Sequence, residues 1–276
     1  MESITGPGSR SVPVTTCTGI TRDQHCDLVA IEAPLEVRIN GERFAVMMRT
    51  PGADRPLALG FLFSEAVIDD RDDVVAVDEW PGDPVLGNRV NVIVTERVAR
   101  TLREHTGDRR HVAMTSACGL CGRVSVESLA RDAVPLPVCW SIDAGRVAGI
   151  PGHLRAAQPV FDGTGGLHGA ALVRHDGEVA ASAEDVGRHN AVDKIVGTMF
   201  DANRLPLNEF VLAVSGRASF ELVQKACLAG IPMLVAVSAP STFAVDLAEA
   251  CGVTLVGFAR GERFNIYTHP ERIVQG

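Results

Sequence analysis

Three features of the sequence predict an α/β protein with a parallel sheet in its C-terminal part and a smaller α+β part before it. After Phe210, apolar runs alternate with helix-like segments, which is the pattern of βαβ units whose helices cover a parallel sheet. Asn40-Gly41 lies between two alternating segments and indicates a β-hairpin in the N-terminal part. The length of 276 residues, 46% of them hydrophobic, suits one large domain or two ordinary ones.

The N-terminal part is predicted to begin with a flexible lead-in over residues 1–20, rich in Ser, Thr, Gly and Pro, with regular structure starting near Asp27. Residues 35–39 and 43–48 flank Asn40-Gly41, the dipeptide that type I′ turns prefer because both central residues need a positive φ. The further elements predicted for this part are a helix within 55–68, strands at 74–77 and 90–94, and a helix at 96–104.

A boundary is predicted near Val138, because Pro135 and Pro137 interrupt regular structure. It divides the chain into the lead-in, an N-terminal part at 21–137 and a C-terminal α/β domain at 138–276. The elements predicted after it are a helix at 143–150 or slightly beyond, where Pro151-Gly152 disturbs it, strands at 170–173 and 179–182, a helix from about Asp185, strands at 210–216, 233–237 and 253–258, and helices at 218–230 and 242–252.

The carboxyl ends of the last three strands predict a site for an anionic ligand, because open α/β sheets bind ligands beyond those ends. The loops at 215–219, 238–241 and 258–263 are expected at one edge. Two of them open helices, whose free N–H groups favour anions. The three loops together supply Arg217, Arg260 and Arg263. Helix caps and solvated arginines explain any one loop, but explain the joint placement less well. No Walker A or dinucleotide-binding glycine motif is present, so ATP hydrolysis and nicotinamide binding fit poorly.

A Cys-x-x-Cys pair, Cys118 and Cys121, lies in the segment TSACGLCGR. Such a pair serves structural zinc, dithiol redox exchange or thiolate attack on a sulfur donor. A zinc site needs four ligands, and the other five cysteines are scattered singly. A short helix after Gly122 would suit redox exchange, so the residues alone leave all three chemistries open. The scattered cysteines are Cys17, Cys26, Cys139, Cys227 and Cys251.

Two histidines are candidates for the site. His189 and Asp193 are four residues apart on a predicted helix, so they either form a hydrogen-bonded pair that fixes the imidazole tautomer or belong to a surface ion-pair cluster. His168 is flanked by glycines, which permits close approach of a ligand, although a plain loop histidine is the default interpretation.

Composition limits the classes of binding partner and the cellular compartment that fit the protein. The formal net charge of −8 argues against a protein that binds nucleic acid through its phosphates. No run reaches the roughly 18 apolar residues of a membrane span, and residues 1–16 lack the apolar core of a signal peptide. Seven cysteines without a compact framework fit a reducing compartment. These features predict a cytoplasmic protein with no membrane partner.

Taken together and in order, several segments resemble the FdhD family of formate dehydrogenase accessory sulfurtransferases. The resemblance implies a fold similar to that of cytidine deaminases, a homodimer, and a sulfur carrier. Such a carrier accepts persulfide sulfur from a cysteine desulfurase and passes it to the bis-molybdopterin guanine dinucleotide molybdenum cofactor of formate dehydrogenase. The segments that carry the resemblance are INGERFAVMMRTPGADRPLALGFLFSEAVI, TSACGLCGR, EDVGRHNAVDKIVG, SGRASFELVQKA, SAPSTFAVDLA and GVTLVGFARGERFNIYTH.

The resemblance also assigns residues. Cys118 is the expected persulfide-bearing residue and Cys121 its partner, while Arg217, His189 and Asp193 lie in family motifs and are expected in the pocket. The expected cofactor-binding stretch is Phe258, Ala259, Arg260, Gly261, Glu262 and Arg263.

Two other functions remain open. A zinc hydrolase of the deaminase type needs His-x-Glu followed by Pro-Cys-x-x-Cys, but here the cysteines precede His168, Ala117 replaces the proline and Ala170 stands in the place of the glutamate. A maturation chaperone would bind the cofactor without carrying sulfur. Metal content tests the first alternative, and sulfur loading tests the second.

Overall fold

The structure is a computed structural model that describes residues 8–82, 88–106, 135–137 and 140–275. Its helices are α1 (Asp54–Ser64), α2 (Glu96–Thr106), α3 (Ala144–Ala156), α4 (Pro159–Thr164), α5 (Arg188–Asp201), α6 (Phe220–Leu228) and α7 (Thr242–Cys251), with 3₁₀ turns at Arg71–Asp73 and Pro270–Arg272. Its strands are β1 (Ser9–Thr18), β2 (Thr21–Ala30), β3 (Ala33–Ile39), β4 (Glu42–Arg49), β5 (Val74–Trp80), β6 (Asn88–Val94), β7 (Ile142–Asp143), β8 (His168–Arg174), β9 (Val179–Asp185), β10 (Phe210–Val214), β11 (Met233–Ala236), β12 (Thr254–Arg260), β13 (Arg263–Ile266) and β14 (Ile273–Val274).

Regular structure begins at Ser9, so the prediction that it starts near Asp27 is wrong. β1 and β2 form an antiparallel hairpin from Ser9↔Ala30 to Thr18↔Thr21, and β2 packs on α4. The threonines, which were counted among the loop formers of the lead-in, favour extended backbone through their branched Cβ, as the valines of β1 also do. Gly19 adds a positive φ of 61° at the tip.

The N-terminal sheet has the strand order β4-β3-β6-β5. The predicted hairpin is confirmed: Ile39 pairs with Glu42, and Asn40 and Gly41 have φ values of 49° and 85°. Helix α1 ends at Ser64, before the predicted limit at 68, and Ala66 follows with a φ of 53°. Apolar side chains of α1 and α2 pack with β3 and β6 into one core.

The C-terminal sheet has six strands in the order β13-β12-β11-β10-β8-β9. β10, β11 and β12 are parallel, as predicted, while β8 joins β10 and β13 joins β12 antiparallel. The sheet is therefore mixed. Its likeness to cytidine deaminase layering stays a prediction of the resemblance.

Helices cover both faces of this sheet. Side chains of α5, α6 and α7 form one apolar core against it, and side chains of α3 form another on the opposite face. α3 runs on through Pro151 to Ala156, so Pro151-Gly152 does not end the helix. α5 starts at Arg188 instead of about Asp185, because Asp185 still pairs with His168 as the last residue of β9.

The two sheets are joined through their helices, because α1 packs directly on α5. Phe200 of α5 is buried in the N-terminal core. The predicted boundary at Val138 lies outside the described residues, and the division into parts stays a prediction. No helix in the described ranges is both long and apolar enough to cross a membrane.

Candidate functional site

The three predicted loops meet at one edge of the C-terminal sheet, called here the carboxyl edge: residues 215–219, 238–241 and 258–263. Backbone hydrogen bonds connect them in series. Ser238 N donates to Gly216 O at 3.3 Å, Ala218 N donates to Ala239 O at 3.2 Å, and Phe258 N donates to Ser238 O at 3.1 Å. The predicted juxtaposition is confirmed.

Two of these loops begin helices, as predicted. Ser219 is the N-cap residue of α6, and Ser241 is that of α7, where its Oγ accepts from Ala244 N at 3.3 Å. Helix N-termini carry unpaired N–H groups and a partial positive charge. The carboxyl edge therefore presents two helix N-termini whose partial positive charge attracts an anion.

The predicted arginines add side-chain charge to this edge. Arg217, Arg260 and Arg263 are exposed. Arg260 Nε donates to Val237 O at 3.2 Å, which holds the Arg260 side chain against β11. These guanidinium groups supply forked donors for phosphate or carboxylate oxygens.

The stretch from Phe258 to Arg263 is a bulged hairpin and not a plain loop. β12 continues to Arg260, beyond the strand end predicted at 258, because it pairs with β13, and the register shifts between Gly257 and Arg260. Phe258 has a φ of 53° and a side chain that is 42% exposed, whereas Ala259 is buried. A bulky residue with positive φ is uncommon, and such strained positions cluster at functional sites.

Antiparallel pairing brings His168 to the same edge. His168 begins β8 opposite Asp185, and Gly169 N donates to Ser215 Oγ at 2.9 Å. A Cβ on Gly216 would lie 3.4 Å from His168 Nδ1. The ring thus lies against the loop that follows β10. The glycines around His168 predicted a close approach but not this position.

His189 pairs with Glu221 and not with Asp193. His189 Nε2 lies 2.5 Å from Glu221 Oε2 and 3.4 Å from Ser219 Oγ. Asp193 is 2% exposed and binds Ser64 Oγ at 2.8 Å and Lys225 Nζ at 2.6 Å. Within the described ranges, the predicted His189–Asp193 pair does not form, because Asp193 faces α1 and α6. Glu221 was missed because its partner is 32 residues away in sequence.

Burial, hydrogen bonding and nearby charges shift the pKa values of two groups at the carboxyl edge. The pKa of His168 is lowered by burial and by the nearby charges of Arg188 and His189. The pKa of Glu221 is lowered, chiefly by its hydrogen bond with His189, against an opposing effect of burial. The edge thus holds a carboxylate and an imidazole that favours its neutral form.

Cys118 and Cys121 lie outside the described residues, so the structure does not place them. The described chain nearest to them after the pair is at Pro135–Pro137, where Leu136 N donates to Cys251 O at 2.9 Å at the end of α7. Among the residues that the structure describes, no three His, Cys, Asp or Glu side chains are grouped as metal ligands would be.

Comparison with known proteins decides the family. The model of the FdhD/NarQ family matches residues 30–274. The chain belongs to the FdhD/NarQ family.

Curated relatives of this FdhD/NarQ family protein agree along almost the whole chain. It is 49% identical over 255 residues to the sulfur carrier protein FdhD of Anaeromyxobacter dehalogenans, covering 90% of this chain and 88% of the relative. It is 48% identical over 266 residues to the sulfur carrier protein FdhD of Nocardia farcinica, covering 96% and 94%.

A solved structure matches the fold of this FdhD/NarQ family protein. The crystal structure of a candidate formate dehydrogenase accessory protein from Desulfotalea psychrophila superposes with a TM-score of 0.75. The match covers 97% of this chain and 100% of that chain at 24% identity. At that identity it supports the fold alone.

Proposed function

We propose that the protein is a sulfur carrier that serves formate dehydrogenase. It takes persulfide sulfur from a cysteine desulfurase and delivers it to the bis-molybdopterin guanine dinucleotide molybdenum cofactor, which it binds as a substrate. The observation that carries the proposal is the family match over residues 30–274, together with relatives named sulfur carrier protein FdhD. The arginine-bearing carboxyl edge supports the second half of the proposal, because the cofactor is anionic.

Cys118 is the carrier thiol in this proposal. Its thiolate attacks the outer sulfur of the desulfurase persulfide, which forms Cys118-S-S⁻ and releases the desulfurase thiolate. Attack of the Cys121 thiolate on the inner sulfur then forms the Cys118–Cys121 disulfide and releases hydrosulfide, which the cofactor receives. The dithiol supplies the two electrons of that reduction, and a cellular thiol must reduce the disulfide before the next cycle.

The carboxyl edge is the proposed cofactor site. Its residues are Arg217, His189 and the hairpin from Phe258 to Arg263, in which Arg260 and Arg263 are exposed. Guanidinium groups and helix N-termini suit the pyrophosphate of a guanine dinucleotide. Ala259 is buried, so the exposed residues on either side of it are the ones available to a ligand.

The chain length allows the carrier thiol to reach this edge. Cys118 precedes Pro135 by 17 residues, and an extended chain spans up to about 3.3–3.6 Å per residue. Pro135 lies by the end of α7, whose 10 residues correspond to about 15 Å at 1.5 Å per residue. The tether is thus long enough to span the length of α7 and reach the carboxyl edge. We further propose that the protein acts as a cytoplasmic homodimer.

Sulfur loading of separate cysteine variants tests the proposal. Wild type, Cys118→Ala and Cys121→Ala are incubated with a cysteine desulfurase and cysteine, and bound sulfane sulfur is followed by intact-protein mass spectrometry. We expect a 32-Da adduct on wild type and Cys121→Ala, and none at this position in Cys118→Ala. Cys17→Ala, which alters an exposed cysteine of the β1–β2 hairpin, is the matched control.

Two results would overturn this function. Undiminished loading and formate dehydrogenase maturation with Cys118→Ala would remove the carrier role and leave a cofactor-binding chaperone. Stoichiometric zinc bound through Cys118 and Cys121 in the purified protein would instead favour metal chemistry of the hydrolase type.

A further inference from the structure

The His189–Glu221 pair lies at the carboxyl edge and joins the first turns of two helices. His189 is the second residue of α5, and Glu221 is the second residue of α6. Both side chains are 23% exposed. The pair is thus largely enclosed while keeping access to whatever binds at the edge.

The ring contacts leave one imidazole nitrogen available. Nε2 is the atom that contacts both Glu221 and Ser219. Since both partners share Nε2, Ser219 cannot be activated through the ring as in a Ser-His-acid triad, which uses the two nitrogens separately. In the part of the chain that the structure describes, Nδ1 makes no hydrogen bond, so it is the ring atom open to a ligand.

The first turn of α5 has an unusual charge pattern. It carries Arg188 and His189 and no acidic residue, although the helix dipole disfavours cations at this end. Arg188 Nε is buried and makes no hydrogen bond to any residue that the structure describes. The first turn of α5 thus combines a helix end that favours anions with cationic side chains and no acidic partner of its own.

Each element packed around the His189–Glu221 pair contributes further charged groups. On α6, Lys225 lies behind Glu221 and lowers the pKa of that carboxyl, as does Arg188 on α5. On β8, the pKa of His168 is lowered by burial and by the charges of Arg188 and His189, against the opposing effect of Asp185. Glu65, directly after α1, is close enough to interact with Lys225, Asp193 and Glu221. Glu221 is therefore the carboxylate in direct contact with His189, between two cationic neighbours.

We propose that His189 binds the anionic ligand of the carboxyl edge in its protonated form, and that Glu221 is the positioning residue that holds the imidazole at Nε2 while Nδ1 donates to the ligand, since a ring that donates from both nitrogens carries both protons. Binding then takes up a proton at His189, and deprotonation of the ring weakens it. The inference rests on the proposed function, because it assigns a proton-linked contact within the cofactor site.

The test needs a ligand whose own charge is constant. Di(guanosine-5′) diphosphate is a suitable probe, because its pyrophosphate is a diester like that of the cofactor and does not titrate near neutral pH. Binding to the full chain is measured by isothermal titration calorimetry from pH 5.5 to 8.5, in pairs of buffers that differ in ionisation enthalpy. The buffer pairs give the number of protons taken up, which requires no mutation.

We expect wild-type affinity to fall by about tenfold from pH 5.5 to 8.5, the effect of one charge-assisted hydrogen bond, with proton uptake between zero and one. His189→Gln should remove both the pH dependence and the uptake. Glu221→Gln should move the midpoint to lower pH, and Glu221→Asp should restore part of the shift.

His269 and Glu271 provide the matched control. They form another His–Glu pair, 3.3 Å apart, away from the carboxyl edge, and Glu271→Gln should leave the profile unchanged. A wild-type affinity without proton uptake, or a profile that Glu221→Gln does not move, overturns this inference while the cofactor site stands. Absence of any binding overturns the proposed cofactor site and the inference together.

Discussion

Gly60 of α1 and Gly197 of α5 face each other where the two helices touch backbone to backbone. A Cβ on Gly60 would lie 1.9 Å from Asp193 O, and a Cβ on Gly197 would lie 1.9 Å from Pro56 O. No side chain fits at either position. This contact fixes α5, which begins at the carboxyl edge, against the N-terminal part of the protein.

Gly197→Ala is therefore expected to destabilise the fold. The added methyl meets a carbonyl oxygen of the facing helix, and backbone cannot yield as a flexible side chain does. Overpacking costs about 1–3 kcal/mol and occasionally more, and we expect the upper part of this range in the free energy of unfolding by urea. Gly149→Ala is the control. Gly149 is an exposed glycine of α3 with nothing closer than 4.0 Å to a Cβ, so the change should stabilise by up to about 1 kcal/mol. Equal effects of the two substitutions would contradict the close contact.

The sequence was sufficient to predict the elements whose signals are local. The hairpin at Asn40-Gly41 and the alternation after Phe210 depend on neighbouring residues, and both are confirmed. The β1–β2 hairpin was missed because Ser, Thr and Pro were counted as loop formers, although Thr also favours strands. The antiparallel additions of β8 and β13 depend on pairing between distant segments, which local patterns do not show.

Lys194 and Asp185 form an ion pair that is buried beside the carboxyl edge. Lys194 Nζ lies 2.7 Å from Asp185 Oδ2, and Asp185 is completely buried. Lys194→Met leaves that carboxylate without its counter-charge. We expect the free energy of unfolding, measured with urea, to fall by about 3–5 kcal/mol.

The double variant Asp185→Asn/Lys194→Met separates the pair from the packing. Removing both charges should restore part of the loss, with a coupling energy of about 1 kcal/mol or more. Strictly additive losses would contradict a direct ion pair. The single Asp185→Asn variant completes the cycle. It also reports on the hydrogen bonds that Asp185 accepts from Thr50 N, Gly187 N and Asn190 Nδ2.

The exposed arginines at the carboxyl edge should control nucleotide affinity. Arg217→Gln, Arg260→Gln and Arg263→Gln each remove one charge that a pyrophosphate can contact, and a hydrogen bond to a charged group contributes about 1.5–3 kcal/mol. We expect affinity for guanosine diphosphate to fall by about tenfold or more per substitution, with a weaker dependence on salt. Arg22→Gln, on the exposed face of β2, should change neither quantity. Similar losses for Arg22→Gln and the edge variants would mean that the protein attracts nucleotides only through its general charge.

Part of the candidate site could be predicted from local sequence signals, as part of the fold could. The loops after parallel strands come to one edge by the geometry of the sheet, so Arg217, Arg260 and Arg263 could be grouped in advance. His189 was grouped with Asp193 by helical spacing. The folded chain instead pairs it with Glu221, because α5 and α6 begin at the same edge. That pairing is tertiary, and no spacing rule within one helix predicts it.

Glu65 should make the stability of the protein depend on pH. Its pKa is raised by burial and, more weakly, by the negative charges of Asp193 and Glu221, against the opposing effect of Lys225. A carboxyl whose pKa is higher in the folded state contributes stability below its unfolded value, and this contribution is lost as the pH rises through the folded value. Glu65→Gln removes the ionisation. It should therefore have little effect near pH 4 and should stabilise the protein, relative to wild type, increasingly toward pH 7.

The measurement compares the free energy of unfolding of both proteins in guanidinium chloride at pH 4, 5.5 and 7. Glu42→Gln is the control, because Glu42 is an exposed glutamate at the start of β4 and its substitution should give a difference that changes little with pH. The prediction would be contradicted if the free energy of unfolding of wild type rose relative to that of Glu65→Gln as the pH increased. In that case the attraction of Lys225 would outweigh burial, and Glu65 would be a stabilising carboxylate next to the His189–Glu221 pair.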